Sequence, residues 1–353
     1  MGTFLEHKNQ LSEKEVIKIA SDCLGQEIAS VAKIGKGGNS KVYHLKSSYR
    51  EFVVKFYFQH PSDTRDRLGV EFQSLSFLWG EGLRMVPRPI VLNREHQCAF
   101  YDFIKGTSPV TDISSKDIDG AVQFLGVLKN LALGAKDLNF PAASEAFFCG
   151  MDIMSNIRGR LKRFSFNDNT GEYLALREFL RDEFMPLLET VETWSKLYLV
   201  NHGILWEEKI SGRYRTLSPS DFGFHNALRT PDESIVFLDF EYFGWDDPAK
   251  LVSDFLWHPA MSLTHELKEK FLKQMMGIFD DPQFKNRLKA FYPLFGLKWC
   301  LILLNEFVAV DMQRRGFARL EPQDITAVRL SQLARARTLI QQISNNYKVF
   351  YDD

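Results

Sequence analysis

Apolar and polar residues alternate over much of the first hundred positions, whereas apolar residues recur at helical spacing in most of the remaining chain. The first pattern predicts strands and the second predicts helices. The strand-rich part also contains one helical stretch, with apolar positions at 68, 72, 75 and 78 or 79, and a short helix over 12–23 precedes it. The later helices are expected at 114–134, 144–163, 172–198, 248–257, 263–279, 283–310 and 322–346.

This arrangement predicts an α+β protein of two lobes. A small, mostly β lobe is expected over 1–104 and a large helical lobe over 105–353, with a site in the cleft between them. A chain of 353 residues can bury one large core, more naturally one that is split in two.

The most informative group of polar residues lies between 221 and 239. Asp221 is followed five positions later by Asn226, and the apolar run 235–238 ends in Asp239. Phosphoryl transfer from ATP needs one carboxylate to orient the attacking hydroxyl and accept its proton. It also needs an amide oxygen and a second carboxylate to hold Mg²⁺. Turn chemistry explains an Asp and an Asn at this spacing about equally well. The three residues together, in this order and around a buried strand, favour the catalytic interpretation.

A glycine-rich turn lies upstream and leads into the alternating segment 42–45. Without side chains, glycines let backbone N–H groups approach phosphate oxygens closely, although a hairpin turn has the same composition. The spacing does not fit the common GxxxxGK phosphate loop. The residues of this candidate phosphate-binding turn are Gly35, Gly37, Gly38, Asn39 and Ser40.

The next predicted strand, 51–57, carries Lys55 within an otherwise hydrophobic run. An unpaired interior charge is costly, so such a lysine needs phosphate oxygens or a carboxylate as its partner. Glu71 lies beside the apolar stripe of the following helix and is the candidate carboxylate. The alternatives are a Lys55 on the exposed face of an edge strand and a solvated Glu71 in a first helical turn.

The order of these elements resembles the aminoglycoside phosphotransferase and choline kinase family, whose members have a protein-kinase-like fold. The resemblance covers roughly residues 30 to 260 and is strongest over 218–248, which ends in Asp-Asp-Pro. It also includes the turn Val-Pro-Arg-Pro at 86–89 and the segment Tyr-Asp-Phe-Ile-Lys-Gly at 101–106.

The resemblance implies an ATP- and Mg²⁺-dependent transfer of the γ-phosphate to a hydroxyl group, with ATP or else GTP as the donor. It implies that Lys55 contacts the α- and β-phosphates, that Glu71 pairs with Lys55, and that Asp102 to Ile104 offer backbone groups to adenine. Asp221 would then be the catalytic base, and Asn226 and Asp239 the Mg²⁺ ligands. The lobe 1–104 would bind nucleotide, and the lobe 105–353 would carry the catalytic and acceptor residues.

Two positions depart from the family pattern. The family loop usually reads His-Gly-Asp, whereas Pro219 and Ser220 precede Asp221 here, and His225 lies on the other side of the aspartate and is not expected to replace the missing histidine. The metal-binding triplet is Asp-Phe-Glu, with Glu241 in the last position. Neither change removes a phosphate or metal ligand, so we expect an active enzyme. A nucleotide-binding pseudokinase and an unrelated transferase with a structural Asp/Asn loop are the alternatives.

Composition sets limits on the partners. The 44 Lys and Arg residues balance 45 Asp and Glu residues, so no net charge favours nucleic acid or an anionic membrane. The four cysteines are scattered, which is typical of a reducing compartment without structural zinc. The first residues contain no apolar signal core, and the longest apolar run near the C-terminus is too short to span a bilayer. We therefore expect a cytoplasmic protein.

The short interval between Asp239 and Pro248 excludes the long platform on which protein kinases bind peptides, so a small-molecule acceptor is expected: an amino sugar, a sugar or an amino alcohol. Carboxylates near the expected acceptor side would suit a cationic group. Aromatic rings could stack on that group, although core packing is the better explanation of the rings. The candidate acceptor residues are Glu241, Trp245 and Asp246, together with a helix that contains Trp299 and Glu306.

Overall fold

The computed structural model describes residues 11–34, 40–58, 65–134, 140–164, 170–308 and 324–350. The chain divides into two compact units, and the main division falls between Gly106 and Thr107. The division rests on packing alone, so the assignment of 1–104 as a nucleotide-binding lobe and of 105–353 as a catalytic lobe stays a prediction.

Within its described residues, the first unit contains a five-stranded antiparallel sheet and two helices. Helix α1 (Glu13–Leu24) is capped by Ser12, whose side chain accepts a hydrogen bond from the backbone N–H of Glu15. The strands follow the spatial order β1-β2-β3-β5-β4. Their bounds, with that of helix α2, are β1 (Ser30–Ile34), β2 (Ser40–Lys46), β3 (Glu51–Tyr57), α2 (Arg67–Gly80), β4 (Pro89–Asn93) and β5 (Cys98–Asp102).

Strand β3 lies at the centre of this sheet, between β2 and β5. Phe52 and Val54 point into an apolar core that also contains Leu45 and Phe100. Because side chains alternate across a strand, Lys55 lies on the opposite face from these residues, and it too is buried. The alternative of an exposed edge-strand lysine is therefore wrong.

The second unit is mostly helical. Its helices are α3 (Ser115–Gly134), α4 (Gly150–Lys162), α5 (Gly171–Glu178), α6 (Met185–Asn201), α7 (Pro248–Trp257), α8 (His265–Ile278), α9 (Phe284–Leu303) and α10 (Ile325–Asn346). A π-helical turn over Phe179–Phe184 joins α5 to α6. Two small antiparallel sheets flank the segments that contain Asp221 and Asp239. One is formed by β6 (Thr216–Ser218) and β9 (Gly244–Asp246), and the other by β7 (Ala227–Arg229) and β8 (Ile235–Phe237).

Aromatic packing builds the core beneath these sheets. Phe124 of α3 packs against Phe222 and Phe237, with ring centroids 5.6 and 4.7 Å away. Phe222 in turn contacts Phe255 of α7. Helix α9 is almost wholly buried. The segment Phe284–Phe307 is long and apolar enough to cross a membrane, but 89% of its most apolar window is buried inside the protein, as in a core helix.

One predicted helix begins later than expected. The pattern predicted a helix from residue 144, whereas α4 begins at Gly150. The backbone before it is held by the segment around β9 instead. Ala143 N donates to Trp245 O at 2.9 Å, and Ser144 N donates to Tyr242 O at 3.0 Å. Cross-segment hydrogen bonds of this kind leave no trace in helical periodicity, so the sequence could not reveal them.

Candidate active site

The first unit contains a buried ion pair on β3 and α2. Lys55 Nζ lies 2.5 Å from Glu71 Oε2, and both side chains are buried. Glu71 also accepts a hydrogen bond of 2.8 Å from the hydroxyl of Tyr57, which is 2.7 Å from the hydroxyl of Tyr101. Burial, together with the negative charge of Glu71, raises the pKa of Tyr57, so this phenol stays a neutral donor. The pairing that the sequence suggested is thus present, held by two strands and one helix.

Only one residue of the predicted phosphate-binding turn lies within the described part of the chain. Gly35, Gly37, Gly38 and Asn39 lie outside the described residues, while Ser40 begins β2 opposite Tyr57.

The backbone N–H of Asp102 already donates to Arg88 O at 3.0 Å, and its carboxylate pairs with Arg50. This N–H is therefore not available to donate to an adenine ring in this structure. Ile104, in the loop after β5, is partly buried. The predicted adenine contacts of Asp102 and Ile104 stay predictions.

In the second unit, Asp221 lies in the loop after β6. The preceding residue, Ser220, has a left-handed backbone with φ of 68°, an uncommon conformation for a residue with a side chain. The amide Nδ2 of Asn226 donates to Asp221 O at 3.0 Å and approaches Asp221 Oδ2 at 3.4 Å. This orientation of the amide turns its oxygen away from Asp221.

The hairpin of β7 and β8 brings Asn226 close to Asp239. Ala227 pairs with Phe237, and Leu238 N donates to Asn226 O at 2.8 Å, so Asp239 follows directly on the residue that faces Asn226. Asp239 itself has a left-handed backbone, with a φ of 66°, and lies just beyond the end of β8 at Phe237. A carboxylate and an amide oxygen at one end of a hairpin are hard oxygen donors of the kind that Mg²⁺ prefers, and the pair therefore fits this metal.

Two stacked imidazoles hold the carboxylate of Asp221. His225 Nε2 and His258 Nε2 lie 3.1 and 3.4 Å from Asp221 Oδ1, and their rings stack 3.7 Å apart. Burial alone would raise the pKa of Asp221, but the hydrogen bonds from these two histidines hold it well below its usual value. The short turn over Phe224–Asn226 directs the His225 ring back to the side chain of the aspartate. The expectation that His225 does not replace the missing loop histidine stays a prediction.

A buried charge network lies behind the same loop. Lys250 Nζ of α7 lies 2.7 Å from Asp246 Oδ2 and 3.2 Å from the hydroxyl of Ser220. Ser220 Oγ donates to Ser144 O at 2.7 Å. Although burial opposes its charge, the neighbouring carboxylates of Asp246 and Asp254 raise the pKa of Lys250, so it remains a cation. Pro219–Ser220 is thus braced by α7 and by the segment before α4.

The predicted acceptor residues do not form one exposed surface within this unit. Asp246 is fully buried and accepts hydrogen bonds from Lys250 and from the backbone of Phe147 and Asp247, which gives it a structural task. Trp245 is bonded through its backbone to the segment 141–143 and is only half-buried. The other three residues, Glu241, Trp299 and Glu306, are buried. Acceptor contacts by these residues stay predictions. The complete burial of Asp246 argues against a direct contact between Asp246 and the acceptor.

Sequence reasoning missed His258 altogether. It follows α7, 37 positions after Asp221 in the chain, and no local motif marks it. Ala260 N donates to His258 Nδ1 at 3.2 Å, which leaves Nε2 to carry the proton that points at Asp221. The turn that directs the ring depends on tertiary packing around α7.

The fold and this loop together define a kinase-type phosphotransferase. Residues 30–276, well over half of the chain, match the family model of the phosphotransferase enzyme family, and the chain belongs to that family. The match confirms the predicted family and the predicted class of enzyme. The comparison with curated proteins gives no match.

Similar solved structures confirm the protein-kinase-like fold. A spectinomycin phosphotransferase in complex with ADP and spectinomycin is 13% identical, with a TM-score of 0.62 over 91% of this chain and 98% of that one. The choline kinase LicA from Streptococcus pneumoniae is 16% identical, with a TM-score of 0.58 over 93% and 99%. An ethanolamine kinase from Plasmodium vivax is 15% identical, with a TM-score of 0.55 over 89% and 84%. At these identities the likeness extends to the fold alone.

Proposed function

We propose that this protein is a small-molecule kinase that transfers the γ-phosphate of ATP, with Mg²⁺, to a hydroxyl group. The observation that carries the proposal is the Asp221 carboxylate, whose Oδ1 is held by two imidazoles while Oδ2 lies toward the amide of Asn226. Relatives of this fold bear the names of kinases for spectinomycin, choline and ethanolamine, which supports a small acceptor. A cytoplasmic location remains an expectation.

The chemistry follows from the held carboxylate. Asp221 orients the acceptor hydroxyl and takes its proton as the oxygen attacks the γ-phosphorus. A new bond forms between this oxygen and phosphorus, the bond from phosphorus to the β,γ-bridging oxygen breaks, and ADP leaves with the electron pair. With Oδ1 occupied by imidazole N–H groups, the proton is received at Oδ2. A pKa held low keeps Asp221 ionised and ready to accept this hydrogen bond.

The remaining residues bind and position. Asn226 and Asp239 would hold Mg²⁺ through oxygen atoms, and the metal would neutralise charge on the phosphates. Lys55 would contact the α- and β-phosphates, with Glu71 keeping its ammonium group in place. The buried Glu71 carboxylate on α2 holds the ammonium group of Lys55 in place, which lowers the entropy lost on binding nucleotide.

The test combines binding and turnover. Thermal stability is measured with ATP in the presence and absence of Mg²⁺, and ADP release is then screened over amino sugars, sugars and amino alcohols. Nucleotide binding with acceptor-dependent ADP release supports the proposal. Binding without release by any acceptor indicates a pseudokinase, and the absence of nucleotide binding contradicts the proposal as a whole.

A further inference from the structure

Trp299, a buried residue of α9, packs against the imidazole that orients the proposed base. Its ring meets the ring of His258 at 72°, with 4.5 Å between the ring centroids. The same imidazole stacks on His225 at 3.7 Å. Ring contacts of this kind have preferred geometries and therefore restrict rotation of the side chain. His258 is thus held by two rings while its Nε2 faces Asp221 Oδ1 at 3.4 Å.

The orientation of the indole is in turn set by Asp254 of α7. Trp299 Nε1 donates to Asp254 Oδ1 at 2.8 Å, and both side chains are buried. An indole N–H can only donate, and a carboxylate is a strong acceptor for it. A continuous series of contacts, here called the ring path, therefore runs from Asp254 through Trp299 and His258 to the carboxylate of Asp221.

Asp254 also reaches the backbone of the catalytic loop. Its Oδ2 lies 3.4 Å from Lys250 Nζ, and Lys250 donates to Ser220 Oγ at 3.2 Å. Ser220 directly precedes Asp221 and has a φ of 68°, a costly conformation that persists only where the surroundings enforce it. The contacts from Asp254 through Lys250 to Ser220 are here called the lysine path.

Two buried ammonium groups meet at Asp254. Besides Lys250, Lys298 of α9 donates to both carboxylate oxygens, at 2.6 and 2.8 Å. Burial lowers the pKa of Lys298, and the positive charge of Lys250 lowers it further, whereas Asp254 opposes both effects. Without this carboxylate the two cations would repel each other, and Lys250 would lose one of the two carboxylates that hold it beside Ser220.

We propose that Asp254 is a positioning residue for phosphoryl transfer: it fixes the carboxylate of Asp221 through the ring path and the loop backbone through the lysine path. Because Asp254 is buried, it acts through the side chains that it holds and not by contact with the substrate. The inference rests on the proposed kinase function and extends it. It also gives Trp299 a task other than the acceptor contact that the sequence suggested.

The ring path is tested with Trp299→Phe, which keeps an aromatic ring but removes the N–H donor. Trp206→Phe is the matched control, because Trp206 is a similarly buried tryptophan of the same unit whose ring packs against Phe291. Both changes remove the same atoms from the core, so a difference in turnover between them reports on position and not on lost packing.

Asp254→Asn tests both paths, because a neutral amide leaves Lys250 and Lys298 without their shared counter-charge. Its control is Asp281→Asn, which removes one carboxylate from a buried ion pair with Arg287 of α9. Both aspartate variants should lose thermal stability, whereas only Asp254→Asn should also lose turnover. If Asp254→Asn does not fold, Trp299→Phe still tests the ring path.

The kinetic test compares each variant in the wild type and in a His258→Ala background. We expect Trp299→Phe to lower kcat roughly 3- to 30-fold with little change in the KM for ATP, and to have no further effect once His258 is gone. Asp254→Asn should lower kcat in both backgrounds, because the lysine path does not pass through His258. A loss in Trp299→Phe that adds in full to that of His258→Ala, or that Trp206→Phe equals, would overturn the inference.

NMR of the histidine ring nitrogens gives a readout that needs no catalysis. The signals of His258 are assigned by their disappearance in His258→Ala. We expect its Nε2–H signal to shift or broaden in Trp299→Phe and Asp254→Asn and to stay unchanged in the two controls. Unchanged His258 signals in both test variants would overturn the inference. Shifted signals in a protein that releases ADP with no acceptor would contradict the kinase function, while the connection from Asp254 to His258 would stand.

Discussion

Nε2 of His258 lies 3.4 Å from Oδ1 of Asp221, and the tautomer of this histidine is fixed from its other side. Because Ala260 N donates to Nδ1, the ring proton is on Nε2 and faces the carboxylate. Burial lowers the pKa of His258, despite the nearby aspartate, so the ring is a neutral donor at physiological pH. The proposed base is thereby oriented without being neutralised.

Replacing His258 should therefore slow turnover without removing the base. A hydrogen bond to a charged group contributes about 1.5–3 kcal/mol, so His258→Ala should lower kcat roughly 10- to 100-fold. The KM for ATP should change little. His258→Gln, which can still donate an N–H, should recover part of the loss. The control is His265→Ala, since His265 is exposed on α8. Equal kcat values in all variants would contradict a positioning role.

Variants of Lys55 and Glu71 test the proposed role of this ion pair in binding nucleotide. Lys55→Met leaves the Glu71 carboxylate buried beside Tyr57 without its cation, which should cost about 3–5 kcal/mol in the free energy of unfolding. The double variant Lys55→Met/Glu71→Gln should regain most of that stability but none of the ATP affinity. Chemical denaturation and ATP titration separate the two effects, and Lys46→Met, an exposed change on β2, is the control. ATP affinity restored along with stability would show that Lys55 is structural.

The metal prediction concerns Asp239. Its replacement in Asp239→Asn should weaken ATP binding in the presence of Mg²⁺ far more than in its absence, because a neutral amide is a poorer Mg²⁺ ligand than a carboxylate. Asp232→Asn, in the exposed turn between β7 and β8, is the control. Equal losses with and without the metal would exclude Asp239 as a ligand.

A stability prediction concerns the turn end of the β7–β8 hairpin. Arg229 donates from Nε and Nη2 to both carboxylate oxygens of buried Asp117, at 3.1 and 2.6 Å. Burial would raise the pKa of Asp117, but these hydrogen bonds lower it below 3.8, its ordinary value. Because this pKa is lowered in the folded protein, the stabilisation by the Arg229–Asp117 pair is present above about pH 4 and is lost as the pH falls through the folded-state pKa. At pH 7, Asp117→Asn should lose roughly 1–3 kcal/mol in the free energy of unfolding.

The difference between Asp117→Asn and the wild type should shrink as the pH falls below about 4. Urea denaturation at several pH values measures it. Asp119→Asn serves as the control, since Asp119 lies on the same helix and its pair with Lys270 is exposed. This exposed pair should contribute at most about 1 kcal/mol. A constant difference between wild type and Asp117→Asn down to pH 3 would mean that the pair does not set this acid sensitivity.

Periodicity and chemical type were enough to predict most of the fold. Helices such as α3, α7 and α9 begin within one or two residues of their predicted positions, because each has an amphipathic or wholly apolar pattern. The Lys55–Glu71 pair was also predictable, because a charge within an apolar strand requires a partner.

The failures have a common physical origin in long-range contacts. The segment before α4 has helical periodicity, but its backbone bonds to β9, and His258 contacts Asp221 only because the turn after α7 directs its ring there. Neither the direction of a turn nor the assembly of distant helices is encoded in a local pattern.

The most direct test of the account is the ADP-release rate of the wild type and of Asp221→Asn, measured with Mg²⁺, ATP and an acceptor found by the screen. Asparagine keeps the size of the side chain but cannot accept the hydroxyl proton. We expect ATP affinity to be retained and acceptor-dependent turnover to fall roughly 10²- to 10⁴-fold. Unchanged turnover in Asp221→Asn, with ATP binding intact, would contradict the assignment of Asp221 as the base.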